Sequence, residues 1–130
     1  MNNIINIEQE TLNNNNFRKV LYTTKNIQLV VMSLLPNEEI GTETHHLDQF
    51  FKVEIGSGKA VLDGEEYIIS NGYAVIIPAG VEHNIINTDP VAHMKLYTIY
   101  SPPNHENGVI HSTKREAEVD EEHFEGMVME

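Results

Sequence analysis

The chain has 130 residues, no cysteine and a formal net charge of −12, and these totals exclude several classes of protein. A chain of this length forms one domain with its own core, and without cysteine it has neither disulfides nor thiolate metal sites. Its negative field disfavours nucleic acid and anionic membrane surfaces as partners. The sequence shows no apolar run long enough to span a membrane and no secretory signal, so we expect a cytoplasmic protein with no membrane or nucleic-acid partner.

The first sixteen residues differ in composition from the rest of the chain. They contain seven asparagines, including the run from Asn13 to Asn16, and offer little apolar surface for a core. We therefore interpret residues 1–16 as an N-terminal arm, with room for one short strand around Ile4 to Ile7.

Residues 17–103 have the pattern of an all-β domain. Short runs rich in apolar and β-branched residues alternate with turn signals about every 8–12 residues, as in sandwiches and barrels. The strongest hairpin signals are Asp63-Gly64 and Asn71-Gly72. The predicted strands are residues 20–24, 27–35, 50–55, 60–62, 66–69, 74–77, 83–87 and 94–100.

Residues 104–130 form an acidic C-terminal tail that we expect to be partly helical. The last twenty residues carry seven acids and two bases, which is typical of a solvated helix face. Ser112 or Thr113 can cap a helix from Lys114 to Phe124, and Gly126 can stop it.

The segment from Gly72 to Asn87 combines turn residues with a histidine at the start of a strand. Gly72 closes a tight turn, Pro78 ends a strand, and Gly80 permits a turn with positive φ. His83 begins the next strand immediately after that turn. Because side chains alternate along a strand, His83 and Asn87 face the same way.

A second segment places polar side chains on one face of the chain. Glu43 and His45 are two residues apart, and Gln49 lies four residues further on, so the three share a face. Gly56 follows Gln49 after a short strand. His46 has the opposite parity, and we expect it to point away to the surface.

These two segments resemble the two motifs of the cupin superfamily, and in particular the small single-domain bacterial cupins (cupin 2 type conserved barrel). The resemblance covers about residues 27–103, and the second motif is complete in Gly72, Pro78, Gly80, His83 and Asn87. It implies an all-β fold, a cupin (RmlC-like jelly-roll) β-barrel, to which the tail adds a short C-terminal helix.

The first motif keeps the spacing of the family but departs from it in content. Glu43 stands where the first histidine belongs, Gln49 replaces the glutamate, and Asn37 takes the place of the leading glycine. The usual set of three histidines and one glutamate carries a charge of −1. The set Glu43, His45, Gln49 and His83 carries the same charge, with the carboxylate moved to the start of the motif.

The resemblance implies one divalent transition metal held by Glu43, His45, Gln49 and His83, and these donors suit Fe, Mn, Ni or Zn. It also implies chemistry on a small-molecule ligand, as in a dioxygenase or an isomerase, although whether the chain is an enzyme stays open. The alternative is a non-catalytic cupin that binds a small ligand in a polar pocket without metal. By analogy with small cupins, we expect a homodimer.

Four histidines lie outside both motifs, and we expect each of them at the surface. Of these, His111 is the one that a tail returning over the barrel mouth would bring near the site. The four are His93, His105, His111 and His123.

Overall fold

The computed structural model describes residues 3–129 and consists mainly of two antiparallel β-sheets. The elements, in chain order, are α1 (Ile7–Asn13), β1 (Arg18–Thr23), β2 (Gln28–Leu34), β3 (Asp48–Ile55), β4 (Ser57–Leu62), β5 (Glu65–Ser70), β6 (Ala74–Ile77), β7 (His83–Asn87), β8 (Met94–Ser101), β9 (Ile110–His111) and α2 (Lys114–Val119).

The larger sheet has the strand order β6-β3-β8-β2-β1-β9, and the smaller sheet has the order β5-β4-β7. Along β3 and β8 every second residue is buried, as expected when one face of a sheet covers a core. Phe51, Leu96, Met32 and Ile85 are among the fully buried side chains of that core. The jelly-roll fold with a short C-terminal helix is therefore confirmed.

The hairpin between β4 and β5 forms at the predicted Asp63-Gly64. Both residues have positive φ, 47° and 84°, which is the requirement of a type I′ turn. Ser57 pairs with Ser70 at the open end of this hairpin, and Leu62 pairs with Glu65 beside the turn.

The predicted strand around Ile4 to Ile7 is wrong, because the structure has a helix, α1, from Ile7 to Asn13. Asn6 caps this helix by accepting a hydrogen bond from the Gln9 amide, and the buried Thr11 hydroxyl bonds the Ile7 carbonyl. Asparagine is a poor residue inside a strand but a preferred helix cap, so local capping decided the outcome.

The C-terminal tail returns along the domain instead of projecting into solvent. β9 pairs with β1, and the Phe124 and Met129 amides donate hydrogen bonds to the Asn104 and Thr23 carbonyls. Thr113 caps α2 as predicted, but the helix ends at Val119 and not at Phe124. Among residues 3–129, no helix is both long and apolar enough to cross a membrane.

Candidate metal centre

The segment preceding β3 is positioned by backbone pairing with β7. Glu43 and His83 exchange two backbone hydrogen bonds of 2.9 Å each, and the Gly80 amide donates to the His45 carbonyl. The two predicted motifs are thereby held side by side, so that Glu43, His45 and His83 extend from adjacent backbones.

The side chains of these three residues converge. One ligand atom from each of Glu43, His45 and His83 lies within 4.8 Å of the others, a spacing that a single ion can bridge. His45 Nε2 is 2.7 Å from Glu43 Oε2, and the two imidazole centroids are 5.3 Å apart. The structure thus brings together three of the four residues predicted as ligands.

The His83 ring is oriented by the carbonyl of Val81. Its Nδ1 donates a hydrogen bond of 2.9 Å to that oxygen, and the side chain is buried. With the proton on Nδ1, Nε2 presents a lone pair. Metal-binding histidines are usually fixed by such a bond from the other ring nitrogen.

Two buried polar atoms at this site make no hydrogen bond. They are His45 Nε2, which is close to Glu43 but not oriented for a hydrogen bond, and Gln49 Oε1. Gln49 is held by its other amide atom, since Nε2 donates to the Thr98 hydroxyl at 3.0 Å. An unsatisfied buried acceptor costs about 1–3 kcal/mol, and a cation beside Gln49 Oε1 would remove that cost.

Glu43 is ionised in this environment. Burial by itself would raise the pKa of its carboxyl, but contact with the adjacent His45, together with the charge of the Arg18 guanidinium, holds the pKa below its ordinary value. The cluster therefore offers one carboxylate and two imidazoles, and this set suits a divalent transition metal with open positions.

Two of the histidines expected at the surface are buried, and for these two the expectation was wrong. His105 Nδ1 donates a hydrogen bond to the Glu122 carboxylate at 2.8 Å, and its Nε2 contacts the Tyr100 hydroxyl at 3.2 Å. His111 contacts Asp120 Oδ2 at 3.0 Å and Arg18 Nη1 at 3.3 Å. The partners of these rings lie in the returning tail, in β1 and in β8, and no local sequence pattern predicts such contacts. His46, His93 and His123 are exposed, as expected.

Tyr100 lies between His105 of the tail and His45 of the candidate metal centre. Its ring meets His45 edge-on at 6.0 Å between centroids, and it meets His105 at 5.2 Å. Burial raises the pKa of the Tyr100 hydroxyl far above its ordinary value, so the phenol stays neutral. Sequence reasoning missed Tyr100, because an aromatic residue in β8 reads as ordinary core.

Two positions explain how the altered first motif keeps its backbone. Asn37, in the place of the motif's leading glycine, has a φ of 62°, and asparagine tolerates this left-handed conformation better than most residues. Gly56 has a φ of 131°, and a Cβ there would lie 2.9 Å from the Met94 Cα. The first position accepts asparagine, whereas the second requires glycine.

Comparison with known proteins agrees with this architecture. The chain is 41% identical over 122 residues to the uncharacterized protein YrkC of Bacillus subtilis, covering 88% of this chain but only 64% of that relative. It is 40% identical over 111 residues to the uncharacterized protein L612 of Acanthamoeba polyphaga mimivirus, covering 82% of this chain and 69% of the relative.

A solved structure and a family match complete the comparison. The crystal structure of BH2720 from Bacillus halodurans superimposes with a TM-score of 0.89 at 38% identity, covering 92% of this chain and 96% of that one. The family described as Cupin domain matches residues 30–100, which is more than half of the chain and includes both motifs. The chain therefore belongs to the cupin domain family.

Proposed function

We propose that this cupin binds one divalent transition metal through Glu43, His45 and His83, with the Gln49 amide oxygen as a weaker fourth donor. The observation that carries the proposal is the convergence of three ligand atoms, one each from Glu43, His45 and His83, within 4.8 Å of one another. A cation between these groups would satisfy the imidazole and the carboxylate together. Fe, Mn, Ni and Zn all accept this donor set.

We propose small-molecule chemistry at this centre, in the class of a dioxygenase or an isomerase. A bound ion would supply Lewis-acid polarisation of a substrate oxygen. The protein contributes the orientation of His83 by Val81 and of Gln49 by Thr98, and the buried Tyr100 ring excludes water beside His45. We propose that the protein acts in the cytoplasm, a location with which its lack of cysteine is compatible.

Metal analysis tests the first part of this proposal. We expect close to one equivalent of a transition metal in protein purified without chelator or nickel resin, and uptake to one equivalent when the metal is added. Less than about 0.1 equivalent, with no uptake on titration, would contradict the proposal, since a metal that binds the native state is retained and stabilises it.

Substrate panels test the second part. Fe(II)-loaded protein is assayed for oxygen uptake with catechols, β-diketones and flavonols, and each metal form is assayed for isomerisation of sugar phosphates. The Glu82→Gln variant is the matched control, because Glu82 is exposed beside His83 and is not in the cluster. Turnover that is lost in Glu43→Gln but retained in Glu82→Gln would support an enzymatic function.

The alternative is a non-catalytic pocket without metal. It is favoured by the short contact between His45 and Glu43, which a proton can also bridge as an ion pair. In that case a small ligand stabilises the metal-free protein in a thermal-shift screen and is recovered unchanged after long incubation.

We also propose a homodimer, formed through the free edges of β5 and β6. Four large side chains are exposed in or beside the edge strands of the two sheets. These are Tyr67 (48%) and Ile68 (81%) in β5, Tyr73 (52%) immediately before β6, and Ile76 (71%) in β6. Together they expose about 500 Å² per protomer, so a twofold contact would bury about 1,000 Å², the lower limit for a specific interface.

The N-terminal arm is a poorer candidate for this contact. Residues Ile7–Asn13 already form a helix against their own sheet, and so are not free to add a strand to a partner. Light scattering is expected to give the mass of a dimer, and Ile68→Glu to give a monomer, whereas Val91→Glu, at an equally exposed site elsewhere, leaves the mass unchanged. A monomeric wild-type protein would refute the dimer.

A further inference from the structure

Arg18, the first residue of β1, is a buried cation without an anionic partner. The residue is 8% exposed and forms no ion pair with any carboxylate among residues 3–129. Its guanidinium lies 5.3 Å from the centre of the Phe17 ring, and its Nε is buried without a hydrogen bond. Burial of a charge without a direct ion-pair partner is costly, and Glu43 acts on Arg18 without contacting it, so this position favours a negative group in direct contact that the described residues do not provide.

His111 does not supply that negative group. Its Nε2 faces Asp120 Oδ2 at 3.0 Å, and its Nδ1 accepts from Arg18 Nη1 at 3.3 Å, so the ring is a neutral bridge. Asp120 is held on the far side of the imidazole, and its side chain is 49% exposed. The bridge fixes one edge of the guanidinium and leaves the remaining donors free.

Arg18 borders a small cavity that reaches the metal centre. The cavity has a volume of about 130 Å³ and is lined by Arg18, Glu43, Ile40 and, from α2, by Lys114 and Ala117. This is room for about four water molecules at about 30 Å³ each, and hence for a short organic molecule. Arg18 and the metal ligand Glu43 therefore face the same space, with the Lys114 side chain as a second cation.

We propose that this cavity binds a short-chain organic carboxylate, whose carboxylate group is clamped by Arg18 and whose other end points to the metal centre. The planar fork of a guanidinium matches a carboxylate with two parallel hydrogen bonds. Two carboxylates also line the cavity, but Glu118 is exposed and Glu43 is turned to His45. The orientation toward the metal rests on the function proposed above, whereas the clamp by Arg18 does not.

The test is calorimetric titration of malonate and pyruvate, and of their neutral primary amides, into metal-free and metal-loaded protein. We expect both acids to bind saturably and the amides to bind far more weakly. Arg18→Gln is expected to weaken acid binding about 30-fold or more, the effect of removing one partner of a buried charge pair. Lys19→Gln is the matched control, since it removes one positive charge from the next residue of the same strand, outside the cavity.

Metal content and circular dichroism are measured on every variant. Unchanged metal content in Arg18→Gln, together with lost acid binding, supports the clamp. If Arg18→Gln does not fold, Arg18→Lys, which keeps the charge but not the fork, and the acid-against-amide comparison on the wild-type protein decide the question. Acids that do not bind the wild type, amides that bind equally well, or Arg18→Gln that binds acids normally would each overturn the clamp. Arg18-dependent acid binding by a protein that takes up no metal would overturn the metal proposal alone.

Discussion

Two pairs of buried or half-buried histidines lie in this domain, and they differ in how their ring nitrogens are satisfied. In the tail pair, His105 and His111, both nitrogens of each ring contact a hydrogen-bonding partner. In the pair at the metal centre, His83 has its Nδ1 bonded to a backbone carbonyl, and His45 has a buried Nε2 with no hydrogen bond.

The difference distinguishes histidines that attach the tail from histidines that are candidates for metal binding. A ring with two protein partners has no lone pair left for an ion, so His105 and His111 fasten the tail to the domain. A ring nitrogen that makes no hydrogen bond and lies beside a carboxylate can bind a metal ion together with that carboxylate. Burial alone would not have made this distinction, because His83, His105 and His111 are all buried.

The largest expected effect comes from removing the charge at the metal centre. Glu43→Gln keeps the size of the side chain but leaves two imidazoles without a carboxylate, and we expect the metal content to fall below about 0.1 equivalent. Elemental analysis measures this loss. Glu82→Gln, the exposed neighbour of His83, should retain the wild-type content.

A double variant sharpens the same prediction. Glu43→His with Gln49→Glu rebuilds the usual family pattern and keeps the net ligand charge, so we expect it to regain the metal that Glu43→Gln loses. If the double variant binds no metal while Glu43→Gln still binds it, Glu43 is not the carboxylate ligand.

More of the candidate metal centre than of the tail could be predicted from the sequence. Strand parity placed Glu43 and His45 on one face, and the turn chemistry of Gly72 to Asn87 placed His83 at the start of β7. These are local rules, and the structure follows them. Arg18 and His111 meet across 93 residues, and neither turn chemistry nor periodicity constrains such a contact.

The same reasoning explains two of the errors in the terminal segments. The N-terminal arm has few apolar residues, so its helix depends on capping by Asn6 and on contacts with strands that are distant in sequence. His105 was expected at the surface because histidine often lies there. The returning tail brings Glu122 within hydrogen-bonding distance of His105 Nδ1, and this contact compensates for the burial of the ring.

The second largest effect is expected in the tail, where the His105–Glu122 contact is buried. The two side chains are 9% and 5% exposed, so Glu122→Gln replaces a charge-assisted hydrogen bond at a site with little solvent screening. We expect a loss of about 1–3 kcal/mol in the free energy of unfolding, measured with urea. Glu121→Gln, at the exposed neighbouring position, is the control, and an equal loss there would remove the specific role of Glu122.

The same contact predicts how stability depends on pH. Burial lowers the pKa of His105 below its ordinary 6.5, and His105 holds the pKa of Glu122 below its ordinary 4.5 against the opposing effect of burial. In both cases the unfolded chain binds more protons than the folded one, so stability falls as the pH falls. The neighbouring Tyr100 stays neutral throughout, because its pKa is raised.

Stability should therefore fall in two pH ranges. The first begins below pH 6.5 and is due to His105, and the second begins below pH 4.5 and is due to Glu122. Urea unfolding between pH 7 and about pH 3 measures both. His105→Gln should reduce the pH dependence of stability below pH 6.5, and Glu122→Gln should reduce it below pH 4.5. A wild-type stability that rises on acidification from pH 6.5 would contradict the assignment.

A smaller effect is expected from Gln49, since a neutral amide is a weak metal donor. Gln49→Ala should weaken metal affinity about tenfold without abolishing binding, as for other residues that support a metal site. Thr98→Val keeps the amide but removes the hydroxyl that orients it at 3.0 Å, so a weaker effect in the same direction is expected. Competition with a metal-binding dye measures both affinities, and an affinity unchanged in Gln49→Ala would exclude Gln49 from the ligand set.

The smallest effect is expected at the second tail histidine, which completes the comparison. The Asp120 side chain is 49% exposed, and even a full ion pair at an exposed site contributes only about 0–1 kcal/mol and is screened by salt. Asp120→Asn also keeps an oxygen that accepts from His111 Nε2, so the ring should go on presenting Nδ1 to Arg18. We therefore expect unfolding in urea to change by less than about 1 kcal/mol. Any difference from the wild type should shrink at high salt. A loss as large as that of Glu122→Gln would mean that solvent exposure does not distinguish the two contacts, and that the tail is held equally by both.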